Sequence, residues 1–64
     1  MDPNATLQAI EALYAAKPAY AFLAHDWVAL RALRSDLSEW LARGGFEPDW
    51  ALAPVAAKYW KGIR

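Results

Sequence analysis

From Trp27 to Leu41 the large apolar residues recur at intervals of three and four, and this spacing is the strongest constraint on the fold. At 100° per residue, Trp27, Leu30, Leu33, Leu37, Trp40 and Leu41 fall within a stripe about 140° wide, with Arg31, Ser35, Ser38, Glu39 and Arg43 opposite. That pattern predicts a helix over 26–43, with Asp26 as its cap. It runs unbroken through Ser35-Asp36, so one helix is expected; a break with Ser35 as a new cap is the alternative. Glu39 precedes Arg43 by one helical turn, the favoured order for an ion pair worth only about 0.3–0.5 kcal/mol.

Gly44-Gly45 should end this helix, because glycine accepts the left-handed conformation that closes a Schellman-type terminus. Phe46 is then placed to fold back on the apolar face, and Glu47-Pro48 reads as a turn. At the other end of the chain, Asp2 can cap a first helix and Pro3 suits its first position, where no amide hydrogen is needed. This helix is expected over 3–17, since Pro18 disfavours the α region for the residue before it. Leu7, Ile10, Leu13 and Tyr14 share one face, beside a strip of Ala5, Ala9, Ala12 and Ala16 that another backbone could approach closely. The segment Pro18 to His25 reads as a short helix over 19–24 or as an extended connector in which Tyr20 and Phe22 alternate with alanine. Asp49 can cap a short segment from Trp50 to Ala53, and Pro54 can open a last helix over 54–61, ended by Gly62. The expected fold is therefore all-α, a small bundle of three to four helices in a single domain, 1–64.

A chain of 64 residues buries only roughly 60% of its unfolded surface and is marginally stable without help. The usual aids are disulfides, a metal, oligomerisation or dense helix packing. There is no cysteine and His25 is the only histidine, so neither a disulfide nor a Cys/His zinc site is expected. Packing and association remain. Four tryptophans, three tyrosines and two phenylalanines are many large rings for so small an interior. Trp27 and Trp40, at the edges of the central stripe, read as core. Trp50, Tyr59 and Trp60 read as either core or partner interface, since tyrosine and tryptophan are favoured at binding hot spots. Val28 is the one large apolar residue on the polar face of the central helix and joins them as a candidate contact.

Two segments, Asp2-Pro3-Asn4-Ala5-Thr6-Leu7 and Trp40-Leu41-Ala42-Arg43-Gly44-Gly45-Phe46-Glu47-Pro48-Asp49-Trp50, carry a resemblance. The chain resembles a loose group of short bacterial and bacteriophage proteins that begin Asp-Pro-Asn-x-x-Leu and carry Trp-Leu-x-x-Gly-Gly-Phe-x-Pro near the end. Members often have a strongly acidic middle, where this chain has Tyr20, Phe22 and Leu23. The group has no established activity. The resemblance implies a small bacterial protein and transfers no site.

Catalytic groups are sparse. His25-Asp26 is the only place for an acid–base pair, and capping accounts for Asp26. Ser35 and Ser38 lack a base to activate them, and Gly44-Gly45 follows a helix where a phosphate loop would precede one. Asp26, Glu47 and Asp49 do not have the spacing of a calcium loop. No enzyme activity, cofactor or metal is expected. Acidic and basic residues balance to a net charge of zero, which speaks against broad attraction to nucleic acid or anionic lipid. No stretch approaches the ~20 apolar residues of a membrane span, and the lack of cysteine suits the cytoplasm. The expected function is a protein–protein interaction or structural module, with another protein or a second copy of itself as partner. A homodimer would bury the aromatic and alanine surfaces. The alternative is a small nucleic-acid binder using Arg31, Arg34, Lys58, Lys61 and Arg64.

Overall fold

A computed structural model describes residues 2–63, with side chains through Trp60. It contains three α-helices: α1 (Pro3–Ala16), α2 (Ala24–Ala42) and α3 (Pro54–Ile63). Single 3-10 turns at Ala19–Ala21 and Trp50–Leu52 interrupt the two connections, and no strand is present among the described residues. The all-α architecture expected from periodicity is the one found.

Local chemistry accounts for most of the helix ends. The Asp2 carboxylate accepts the Asn4 N–H at 3.0 Å, and Pro3 occupies the first helical position. Lys17 leaves α1 in an extended conformation ahead of Pro18. At the end of α2, Gly44 takes φ +86°, the Gly44 N–H reaches Leu41 O at 3.1 Å, and the Gly45 N–H reaches Trp40 O at 3.0 Å. These are the two bonds of a Schellman terminus. Gly45 lies flat beneath the Trp40 indole, where a Cβ would collide with the ring. The indole N–H donates to Phe46 O at 2.9 Å, and Phe46 packs edge-on against the same ring.

Several expectations need correction. Helix α2 starts two residues before Asp26, with Leu23 as its cap residue. Leucine has no side-chain acceptor, so Asp26, in the first turn, reaches back and accepts the Leu23 N–H at 2.8 Å. The expected short helix over 19–24 shrinks to one turn, because Ala24 belongs to α2 and Phe22 turns extended to bury its ring. Helix α3 continues through Gly62, which was expected to stop it. The Glu39–Arg43 ion pair does not form: Arg43 sits at the C-cap, where the backbone has left helical geometry. Trp27, expected in the core, is 49% exposed.

Leu7 and Ile10 of α1, Leu30 and Leu37 of α2, and Ala56 and Trp60 of α3 form the core, with Phe22 and Ala53 from the connections. Leu13, Tyr14, Leu33, Trp40, Leu41 and Trp50 pack around it, half-buried. Helix α1 is the common partner: α2 and α3 both pack on it and scarcely approach each other. Glu11 of α1 lies against Ala56, and Tyr14 against Tyr59, so α3 advances in the same direction as α1.

The two segments that carry the sequence resemblance meet in this fold. The Asn4 side-chain oxygen accepts the Asp49 N–H at 2.7 Å, and Pro3 and Pro48 are both buried. Asp49 in turn caps the following 3-10 turn by accepting the Ala51 N–H at 3.1 Å.

Candidate interaction groove

The separation of α2 from α3 leaves an open groove of about 820 Å³ along one flank of α2. Its α2 side is Trp27, Leu30, Arg31, Arg34, Ser35, Ser38, Leu41 and Ala42, and its opposite wall is Trp60. At 100° per residue these α2 positions sweep about 140° of the helix surface, adjoining the face that meets α1. Leu30 and Leu41 form the boundary between core and groove. Beyond them the lining is Trp27 together with arginine, serine and alanine.

Trp60 is 9% exposed and is held from two sides. Its ring lies 5.8 Å from Trp50, and the Arg34 guanidinium carbon is 5.2 Å from its centroid. That cation–π contact links the side chains of α2 and α3 across the groove. Arg31, one turn earlier, is exposed, and neither arginine has an ion-pair partner among the described residues. Among the described residues they are the only charged ones in the lining.

The four sequence-chosen contact residues separate. Trp60 joins the core and shows the groove only its rim. Trp50 is half-buried beside it. Tyr59 is 46% exposed but sets its ring 4.9 Å from Tyr14, the start of a ring series that continues through Phe22 to Trp27. Val28 is 69% exposed, just outside the groove rim. Of the basic residues, Arg31 and Arg34 face the groove and Lys58 is exposed on α3. The Lys61 side chain and Arg64 lie outside the described residues. The alanine strip of α1 remains open at Ala5, Ala12 and Ala16. Sequence reasoning missed Arg31, Ser35 and Ser38 as one surface with Leu30 and Leu41, because they were assigned to a solvated back face. The available signal was the width of the apolar stripe, more than a single neighbouring helix covers.

At the other end of α2, His25 Nε2 lies 3.4 Å from Asp26 Oδ1, a closer approach than adjacency on a helix suggested. Asp26 is 7% exposed and already committed. Lys17 Nζ sits 2.8 Å from Oδ2. The Lys17 hydrogen bond, followed by the Leu23 N–H, holds the carboxyl below the ordinary aspartate range. These contacts close the α1–α2 connection and give the pair a structural task.

Among the described residues no group of three or more His, Asp or Glu could hold a metal ion. Among the described residues no buried side-chain nitrogen or oxygen lacks a partner. The polar groups that reach the groove are those on its open rim, an arrangement suited to a broad partner surface. Among the described residues no helix is long and apolar enough to cross a membrane. No family, curated protein or solved structure matches the chain.

Proposed function

We propose that this chain is a non-enzymatic interaction module that binds another protein along the α2–α3 groove. The observation that carries the reading is the groove itself: an open channel whose apolar floor is continuous with the core and whose rim carries two arginines with no ion-pair partner among the described residues. A 64-residue domain that leaves such a face uncovered gains stability when a second chain covers it. The exposed alanines of α1 offer a second surface, on which self-association would be built.

A photo-crosslinking side chain placed at Ser35, in the groove, and separately at Ala12, on the exposed face of α1, tests the reading. In native extract the Ser35 probe should join a discrete protein and the Ala12 probe should not. Adducts from Ala12 alone would move the working surface to α1. A dimer of this chain formed through Ala12, with a melting temperature that rises with concentration, would replace the groove by self-association. Salt-sensitive retention of an oligonucleotide would favour the nucleic-acid alternative.

A further inference from the structure

We propose that the groove takes an amphipathic α-helix of about four turns that presents carboxylates to Arg31 and Arg34. This rests on the groove being a docking surface and adds the chemistry of its occupant.

Length, backbone chemistry and charge each contribute. The α2 lining runs from Trp27 to Ala42, on the order of 22 Å at 1.5 Å per residue, so a helix of roughly 15 residues covers it. A helix satisfies its own backbone hydrogen bonds and can lie on Leu30, Leu41 and the edge of Trp60 without stranding polar groups. A β-strand would need a sheet edge to pair with, and none exists among the described residues. Toward its C-terminal end the α2 wall sets Ser38 and Ala42 beside Leu41, and the two small residues permit close approach of a second helix. The charge is one-sided. Arg31 and Arg34 stand one turn apart, and carboxylates three or four residues apart on a partner helix would reach both. A guanidinium held over an indole still has N–H groups to donate, so the Arg34–Trp60 contact restrains that donor at the groove. A second copy of this chain is a poorer match: the exposed face of α1 is alanine and Gln8, while Asp36 and Glu39 lie outside the groove lining.

The test uses the whole chain and three labelled, hydrocarbon-stapled helices of sixteen residues with one shared apolar stripe. They differ only at two flanking positions, occupied by Glu, Gln or Lys. Fluorescence anisotropy should rank them Glu, Gln, Lys, with roughly five- to tenfold between the first two at low salt and little difference at high salt. Arg31→Glu, at an exposed helical position, should leave the melting curve unchanged and remove most of the ranking, because Arg34 then stands beside a carboxylate. Equal binding of all three would overturn the acidic-helix proposal while leaving the groove as a docking surface. Binding of none, with Ser35 still crosslinking a protein, would overturn a helical occupant. Tighter binding of a single-stranded oligonucleotide than of the Glu helix would overturn both this proposal and the protein-docking reading.

Discussion

The α1–α2 pair and α3 are fastened by different means. The first two helices are joined through large side chains, Leu7 and Ile10 against Leu30 and Leu37, and the connection between them is closed by neighbours in sequence, Lys17 with Asp26 and Asp26 with Leu23. Helix α3 contributes one small residue, Ala56, and one ring, Trp60, to the core. Its first turn is held by a residue from far away: the Glu11 carboxylate accepts the Ala56 N–H at 2.8 Å and the Val55 N–H at 3.4 Å. Those amides have no partner inside the helix, so Glu11 acts as a cap supplied by α1. The difference teaches that a helix can be well specified locally while its attachment rests on a few distant groups. It also explains why the groove opens beside α3: two helices bound separately to a third need not meet.

Breaking the stronger half should have the largest effect. Leu37 is fully buried, and Leu37→Ala should cost roughly 2–5 kcal/mol. In so small a domain that should remove the folded state altogether, as read by circular dichroism and amide exchange. A variant as stable as the parent would contradict the packing of α2 on α1.

Loosening the weaker half should be local. Glu11→Ala removes the borrowed cap and should cost about 1 kcal/mol. Amide protection should fall throughout α3 while Leu7, Ile10 and Leu37 remain protected. Uniform loss of protection would mean that α3 and the α1–α2 pair unfold as one unit.

The junction between the halves begins at Gly44. A Cβ there meets nothing within 4 Å, so Gly44→Ala isolates the backbone strain of a positive φ, about 1 kcal/mol. An unchanged thermal midpoint would show that the α2 terminus relaxes without strain.

The smallest effect concerns the α1–α2 connection. Asp26 titrates lower in the folded chain than in the unfolded one, so its contribution is present at neutral pH and is lost as pH falls below about 4, through its depressed value. The melting-temperature gap between the parent and Asp26→Asn should therefore narrow on acidification in that range. A constant gap would detach Asp26 from the acid response.

How much could be read in advance follows the same division. The Asp2 cap, Pro3, the Schellman end at Gly44-Gly45 and the Asp49 cap were legible, because each acts within a few residues. Asp26 was legible as a helix-start residue but misplaced by one turn: an acid at the cap and an acid in the first turn both satisfy terminal amides, and only the backbone distinguishes them. Trp60 was undecided because its burial depends on Arg34 and Trp50, which lie elsewhere in the chain.

By itself the sequence determined three helices, their termini apart from the start of α2 and the end of α3, and which residues of α2 share a face, since periodicity and capping are short-range properties of the backbone. Only the tertiary structure decided which face each helix buries. Glu11 on α3, Asn4 on the 49–52 turn and the open flank between α2 and α3 all depend on contacts between residues far apart in the chain. Helical period states where a side chain lies around an axis, but not which neighbour, if any, covers it.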